Sequence, residues 1–289
     1  MNKTKGFFYL LSAGFIFGIF GIFVRLLNNE LTNYQQIFFR SIVGFILALL
    51  IIIFFKRKIS FKNISLINLL LFAVSLPLTI IFYTLSILKT KIVLAVATLY
   101  LGSILFSLIS GILFFKEKVT LKKGLAIISS IIALYFFTIP FSLTNINIGL
   151  VYGILSGFMD ALSNSFKKHL GDKIDRFLLI SIQMMGTIVV SLILMFYTKT
   201  LFVPQISPFI FVIGLLFGFL LMLNNYFMLI GFYNFDLNLG TIVMSSELAF
   251  ASVFAYLLYK EIPTKNELIA IFFIILSIIV SHISIKRKK

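Results

Sequence analysis

Long apolar stretches separated by short polar gaps run along the whole chain. A transmembrane helix needs about 20 mostly apolar residues to cross about 30 Å of hydrocarbon. Ten stretches meet that length, at about 6–27, 33–55, 64–88, 92–115, 121–141, 148–166, 177–198, 208–232, 237–259 and 267–285. Backbone polar groups in lipid must find partners within the chain, so these stretches are predicted to be helices rather than strands. The pattern therefore predicts an all-α integral membrane protein with ten transmembrane helices.

The second half of the chain repeats polar landmarks of the first at a shift of 143 to 144 residues. The fourth apolar stretch is followed by KEKVT, which contains Glu117, and the ninth is followed by KEIPT, which contains Glu261. Lys56 has its counterpart in Lys199. Further matches pair Gly6, Tyr9, Gly14 and Phe15 with Gly149, Tyr152, Gly157 and Phe158. We therefore divide the chain into a first repeat, 1–143, and a second repeat, 144–289.

The number of helices in each repeat predicts how the two repeats lie in the membrane. Each half holds five apolar stretches, and an odd number makes the second half enter the membrane from the opposite side. Repeats of opposite orientation are a common architecture of secondary transporters. The predicted fold is therefore two inverted-topology repeats of five helices.

Lysine and arginine residues are distributed unevenly between the two sides of the predicted bundle. With the N-terminus inside, eighteen of these residues fall on the inner side and five on the outer side, while Arg25 and Arg40 lie within helices. Cytoplasmic loops carry the excess of positive charge in multi-pass proteins. Both termini are therefore predicted to be cytoplasmic, in a multi-pass protein of the bacterial cytoplasmic membrane.

Composition narrows the classes of function. Hydrophobic residues make up 61% of the chain and charged residues 12%, while the net charge is +16. Because the basic residues lie in short gaps beside membrane helices, they predict contact with anionic lipids at the cytoplasmic face and no nucleic-acid partner. The chain has no cysteine and two histidines, which leaves little for metal or triad chemistry. We expect no enzyme activity, no metal and no cofactor.

Two acids lie deep within apolar stretches, Asp160 in the sixth and Glu247 in the ninth. A charge at the centre of a bilayer costs about 2.5 to 3.5 kcal/mol on insertion scales, so such groups face the protein interior and are functional by default. The helical neighbours of Glu247 are Val243, Met244, Phe250 and Ala251, an apolar wall that favours the neutral carboxyl group. We expect Glu247 to couple protons or recognise a cation, with a protonated, helix-packing glutamate as the alternative.

Polar side chains recur at helical spacing in the sixth and fourth stretches. The sixth carries a polar face made of Ser156, Asp160, Ser163, Asn164 and Lys167. The fourth carries one made of Tyr100, Ser103, Ser107 and Ser110. Such faces are not expected to meet lipid, so they either line a substrate path or form a structural hydrogen-bond seam. Ser103 aligns with Glu247 in the repeat, which predicts a cavity with a titratable group on one wall.

Other polar residues leave two or more interpretations open. Asn224 and Asn225 in the eighth stretch suit either contact with a polar substrate or bridging between helices. Arg40, seven residues into the second stretch, is expected to snorkel outward, to hold a structural pair, or to meet an anionic group of a substrate. Glu117 and Glu261 are predicted to cap the following helix or to pair with nearby lysines rather than to touch substrate.

In the order and spacing of its motifs the chain resembles the drug/metabolite transporter superfamily, specifically its ten-span EamA-type family. The resemblance rests on the segment 18–27 with its G-x₆-R-L-L pattern, on Arg40, on FFKEKVT at 114–120, and on SSELAFASVFAYLLYKEIPT at 245–264. It implies a bundle whose two halves enclose a central cavity, lined by spans one, three, four, six, eight and nine, with spans five and ten peripheral. Members of the family include exporters of amino acids, metabolites and drugs.

The expected function is therefore secondary transport of a small organic molecule by alternating access, outward and with proton coupling as an open possibility. The candidate substrate and coupling residues are Glu247, Asp160, Tyr100, Ser103, Asn164, Asn224, Asn225 and Arg40. One alternative is uptake of a nucleoside-type or cationic metabolite such as S-adenosylmethionine. Another is a membrane scaffold protein that does not transport. The sequence leaves open whether the protein forms a homodimer.

Overall fold

The computed structural model describes residues 2–61, 64–138, 148–201, 205–260 and 262–282. These residues form helices joined by short turns, and no strand occurs among them. In chain order the helices are α1 Lys3–Gly18, α2 Phe20–Leu27, α3 Asn33–Phe54, α4 Leu66–Lys89, α5 Ile92–Phe115, α6 Leu121–Thr138, α7 Ile148–Leu170, α8 Arg176–Tyr197, α9 Pro208–Asn234, α10 Leu237–Met244, α11 Ser246–Tyr259 and α12 Lys265–His282. The prediction of an all-helical protein is confirmed for this part of the chain.

Seven helical stretches are long and apolar enough to cross a membrane. They are Lys3–Leu27, Asn33–Phe54, Leu66–Lys89, Ile92–Phe115, Arg176–Tyr197, Pro208–Asn234 and Leu237–Leu258. The helices α6, α7 and α12 fall outside that set, although each lies on a predicted span. The structure therefore supports a multi-pass membrane protein, and the count of ten crossings stays a prediction.

The first and ninth predicted spans are each interrupted at one residue, which the sequence pattern did not reveal. α1 gives way to α2 at Ile19, and α10 gives way to α11 at Ser245. At the second break the Ser245 hydroxyl donates to the Ile242 carbonyl oxygen at 2.7 Å, a local bond that competes with the regular helix ladder. The two interrupted helices pack against each other. Gly14 of α1 lies against Ser246 of α11, and Gly18 of α1 lies against α11 one turn later, at Phe250 and the Ala251 backbone.

Four helix ends share an unusual backbone conformation. Lys56, Lys116, Lys199 and Lys260 have φ values of 46°, 51°, 56° and 54°, and no other non-glycine residue of the described ranges has a positive φ. Left-handed geometry is unfavourable for a side chain with a Cβ. Lys56 and Lys199 are repeat counterparts, and so are Lys116 and Lys260. The two halves therefore end corresponding helices in the same strained way.

Packing between the two halves also follows the repeat. The second helix of one half packs on the second of the other, α3 on α8, and the fifth on the fifth, α6 on α12. The third helix of each half packs on the first of the other, which gives α4 on α7 and α9 on α1. The Ser129 hydroxyl of α6 donates to the Phe273 carbonyl oxygen of α12 at 3.0 Å, and these two residues are 144 positions apart. Such contact between equivalent residues is expected where a pseudo-twofold axis passes.

Glycines allow the backbones of α5 and α7 to approach each other closely. A Cβ on Gly157 of α7 would collide with the Leu99 carbonyl oxygen and would lie 2.6 Å from the Ser103 amide nitrogen. A Cβ on Gly102 of α5 would lie 2.6 Å from the Ile154 carbonyl oxygen. Small residues permit this kind of backbone contact between membrane helices. The consequence is that Ser103 on α5 and the polar face of α7 are held next to each other.

Candidate functional site

A small cavity lies in the centre of the bundle, between the two halves. Its volume is about 40 Å³, and its walls come from α1, α2, α3, α4, α5, α7, α9, α10 and α11. Since one buried water needs about 10 to 15 Å³ by this measure, the cavity has room for about three waters and not for a drug-sized molecule. The lining includes every span that the family resemblance implied, and it adds Arg40 from α3. The peripheral helices α6 and α12 contribute nothing to this lining.

Glu247 lies in the cavity wall and joins the two halves. Its side chain is in the first turn of α11, and the residue is 2% exposed. The Tyr83 hydroxyl of α4 donates to Oε1 at 2.7 Å, and the Tyr100 hydroxyl of α5 donates to Oε2 at 2.7 Å. The sequence predicted an apolar wall around this carboxyl group, but two hydroxyl donors reach it from the other repeat. Both of its oxygens therefore have partners although the group is buried.

Asp160 is the second acid of the cavity, and it also joins the two halves. Its Oδ2 accepts from the Ser103 hydroxyl of α5 at 2.7 Å and from the Asn164 amide at 2.9 Å. The ammonium of Lys167 donates to Asn164 Oδ1 at 3.3 Å and approaches the Met228 sulfur at 3.6 Å. Lys167 is thus linked to Asp160 through Asn164. Ser103 and Asn164 act as supports of Asp160 and are absent from the cavity lining.

The polar face of α7 serves both of the roles that the sequence left open. Asp160 and Lys167 line the cavity. Ser156 donates to the Thr79 carbonyl oxygen of α4 at 2.9 Å, and Ser163 accepts from the Gln183 amide of α8 at 3.0 Å. One face of the helix therefore lines the cavity and also binds its neighbours.

Arg40 points into the bundle, so the interpretation that it snorkels outward is wrong. The residue is 3% exposed, and its guanidinium lies 4.4 Å from the ring centre of Phe217. One nitrogen, Nη2, donates to the Thr84 hydroxyl at 3.0 Å. No carboxylate of the described ranges lies within 4.0 Å of the guanidinium. Its repeat counterpart Gln183 is likewise buried.

Asn224 and Asn225 are buried inside the helix bundle and do not line the cavity. The Asn225 amide donates to the Leu221 carbonyl oxygen of its own helix at 3.0 Å. The two polar atoms of the Asn224 side chain have no hydrogen-bond partner in this part of the chain. The structure therefore separates these two residues from Glu247 and Asp160, although the sequence grouped them together.

Tyr83 is a residue of the candidate site that the sequence did not identify. It belongs to α4, lines the cavity and holds one oxygen of Glu247. A signal was present, because a tyrosine within an apolar membrane span needs a partner for its hydroxyl. Finding that partner required knowledge of which helices meet. Lys167 was recognised only as part of the polar face and not as a group that lines the cavity.

A cluster of charges joins the two halves at the end of the bundle where α5, α7 and α9 end. Glu117 accepts from the Lys168 ammonium at 2.7 Å, from the Lys123 ammonium at 3.0 Å and from the Leu237 amide at 2.7 Å. Glu117 therefore pairs with lysines as predicted, but it caps the start of α10 instead of the helix that follows it. Burial alone would raise the pKa of this carboxyl group, but the bonds from Lys168, Leu237 and Lys123 outweigh burial and hold the pKa below its ordinary value. Glu261, its repeat counterpart, lies outside the described residues.

Comparison with known proteins identifies the family. The model of the EamA-like transporter family matches the chain twice, at residues 4–139 and 147–283. The chain belongs to the EamA-like transporter family. The two matched copies start 143 residues apart and end 144 residues apart, which is the shift found within the sequence. Membership confirms the resemblance drawn from the sequence motifs.

Comparison with solved structures supports the fold. A structure titled "Crystal structure of protein" superposes with a TM-score of 0.76 over 97% of this chain and 98% of that chain, at 11% sequence identity. At this identity the likeness shows the fold alone. No curated protein matches the chain by sequence. Within the described ranges no group of three or more histidine, aspartate or glutamate side chains is placed to hold a metal ion.

Proposed function

We propose that the protein is a secondary active transporter that moves a small organic metabolite, amino acid or drug by alternating access. The observation that carries the proposal is a small cavity between the two repeats, walled by helices of both and lined by two buried acids. Buried acids inside a membrane bundle are costly and mark substrate or ion pathways. A cavity of about 40 Å³ has to enlarge before it admits an organic substrate, and relative motion of the two repeats supplies that enlargement.

The proposed arrangement in the membrane is ten crossings in two repeats of inverted topology, with both termini cytoplasmic. The repeated left-handed helix ends at Lys56 and Lys199, and at Lys116 and Lys260, support the repeat. So does the contact between the equivalent residues Ser129 and Phe273. The excess of basic residues on one side supports the orientation.

Glu247 is proposed to couple proton binding to the motion of the repeats. Its carboxylate belongs to the second repeat and both of its hydroxyl partners belong to the first. A carboxylate accepts from two donors at once, whereas a protonated carboxyl group must itself donate from one oxygen. At that oxygen the hydrogen bond from the tyrosine hydroxyl weakens, or reverses so that the hydroxyl accepts from the carboxyl group. Protonation therefore changes the bonds that cross the boundary between the repeats, where transport requires movement.

Counterflow in proteoliposomes tests the transport function. Purified protein is reconstituted, loaded with one unlabelled candidate at a time, and diluted into a trace of the same labelled compound. We expect labelled compound to accumulate for at least one amino acid, nucleoside-type metabolite or cationic drug, and not in vesicles without protein. Binding of candidates with no accumulation for any of them would instead favour a scaffold protein.

The absence of cysteine from the chain makes the topology directly testable. Single substitutions Lys58→Cys and Lys118→Cys are expected to react with a membrane-impermeant maleimide only after the cells are opened. Lys89→Cys and Lys199→Cys are expected to react in intact cells. The reverse pattern, or a mixture within one set, would contradict the proposed orientation.

A further inference from the structure

The guanidinium of Arg40 is a buried cation in the cavity wall with most of its hydrogen-bonding capacity open. A guanidinium has five N–H donors in a fixed fork. In this structure Nη2 donates to the Thr84 hydroxyl at 3.0 Å, and buried Nε has no partner. The ring of Phe217 covers one face of the guanidinium at 4.4 Å. The donors on its edge are therefore left for something that is not a side chain of the described ranges.

The two acids of the same cavity, unlike Arg40, have hydrogen-bond partners from the protein. Glu247 receives two hydroxyl donors at 2.7 Å each, and Asp160 receives a hydroxyl and an amide donor at 2.7 Å and 2.9 Å. Neither acid lies within 4.0 Å of a cationic nitrogen among the residues placed by the structure. Lys167, the other cation of the cavity wall, is linked to Asp160 through Asn164. Arg40 has no carboxylate of the described ranges within 4.0 Å and is left without a counter-ion. The missing partner is therefore an anion.

Both the chemistry and the surroundings of Arg40 narrow the class of that anion. The planar fork of a guanidinium matches the two oxygens of a carboxylate. A single arginine suits one negative charge, and the nearby wall is apolar, with Phe20, Leu76 and Phe217 in the lining. A buried charge without a partner is strongly destabilising. We therefore expect that Arg40 is kept in this position because a ligand pairs with it.

We propose that Arg40 binds the carboxylate of the transported substrate, a small organic acid or zwitterion with an apolar body. This rests on the proposed function, because it assigns the ligand of the same cavity. Arg40 lies on α3, a helix that the family resemblance did not place in the cavity wall. It sets the charge and orientation of the substrate, while Glu247 and Asp160 occupy the opposite repeat.

Three probes of the same shape and different head-group charge test the proposal. They are 4-methylpentanoate, 4-methylpentanamide and 4-methylpentylamine, each added over a millimolar range to the protein in lipid nanodiscs at pH 7. Thermal unfolding is followed by circular dichroism, because the chain has no tryptophan. Ligands that bind the folded state raise the midpoint with concentration. We expect the carboxylate to raise it and the amide and amine to leave it unchanged.

Variants assign that effect to Arg40. Arg40→Met is expected to weaken apparent carboxylate binding by about tenfold to a hundredfold, which corresponds to the loss of hydrogen bonds to a charged group. Arg40→Lys, which keeps the charge and loses the fork, is expected to show a smaller loss. Arg57→Met is the matched control, because this half-exposed residue lies beyond the end of the same helix. It is expected to bind as the parent does.

The proposal is overturned if the amide stabilises as much as the carboxylate, if the amine alone stabilises, or if the carboxylate gives no shift. Persistence of the carboxylate effect in Arg40→Met also overturns it. Should Arg40→Met fail to fold, Arg40→Lys and the probe series on the parent decide. Arg40-dependent carboxylate binding without counterflow of any compound would leave this site standing and remove the transport function. Transport of cations without Arg40-dependent carboxylate binding would leave the transport function standing and remove this site.

Discussion

Neutralising Glu117 is expected to weaken the contact between the two repeats at one end of the bundle. The carboxylate is 6% exposed and pairs with two lysines, Lys168 and Lys123, that are 12% and 7% exposed. Removing one partner of a buried, hydrogen-bonded pair costs about 2 to 5 kcal/mol. The loss of stability for Glu117→Gln should lie at the lower end of this range, at about 2 kcal/mol, because both lysines retain a second partner. Lys123 still has Asp236 at 3.8 Å, and Lys168 still has the Phe235 carbonyl oxygen at 3.1 Å.

The effect of Glu117→Gln should also depend on pH in a stated direction. The pKa of Glu117 is lowered in the folded protein from an ordinary value of 4.5. A carboxyl group with a lowered folded pKa contributes stability that is fully present above its unfolded pKa and is lost as pH falls through the folded pKa. The difference in unfolding free energy between parent and variant should therefore be full at neutral pH and shrink below about pH 4.5.

Equilibrium unfolding in detergent between pH 7 and pH 3.5, followed by circular dichroism, measures this difference. Glu267→Gln is the matched control. Glu267 forms a capping box with Thr264, in which a glutamine serves as well, so the control should change stability by less than about 0.5 kcal/mol. A loss of stability for Glu117→Gln that is no larger than that of the control, or that does not shrink at low pH, would show that the Glu117 carboxylate does not hold the two repeats together.

Two further predictions concern the cavity and the helix contact beside it. Tyr83→Phe and Tyr100→Phe each remove one hydroxyl donor from Glu247, worth about 1.5 to 3 kcal/mol. Each should therefore reduce the response of accumulation to an imposed pH gradient by about tenfold or more, while exchange without a gradient and the amount of folded protein stay the same. A response equal to that of the parent would exclude a role for these hydroxyls. Gly157→Ala places a methyl group against the backbone of α5 and should cost about 1 to 3 kcal/mol of stability, measured as a lower unfolding midpoint. Gly124→Ala, with nothing within 4 Å, is its control and should be neutral or slightly stabilising.

The sequence was most informative where burial in lipid makes a residue costly. Asp160 and Glu247 were identified because an acid inside an apolar span has few interpretations, and the structure places both in the cavity wall. The repeat was readable because short motifs such as KEKVT and KEIPT recur at one shift. The long helices follow from local patterns of the chain and were predictable, whereas the breaks at Ile19 and Ser245 were not.

Contacts between distant helices were not readable from local patterns. The sequence aligned Ser103 with Glu247 as repeat counterparts but did not show what either contacts. The Ser103 hydroxyl donates a hydrogen bond to Asp160, and the Tyr83 hydroxyl donates one to Glu247. The sequence placed Arg40 near the membrane surface because its depth was counted along its own helix. The direction of its side chain depends on a contact with Phe217 of another helix, α9. Which side chains meet is decided by the crossing of helices that are distant in the chain, since Ser103 and Asp160 are 57 residues apart and Tyr83 and Glu247 are 164 residues apart.

Transport driven by a pH gradient tests whether Glu247 couples protons to the movement of substrate. Parent and Glu247→Gln proteins are reconstituted in vesicles, and accumulation of a transported compound is recorded with and without an imposed pH gradient. We expect the parent to respond to the gradient, while Glu247→Gln still exchanges labelled for unlabelled compound but no longer responds. Accumulation by Glu247→Gln that follows the pH gradient as the parent does would contradict this coupling role.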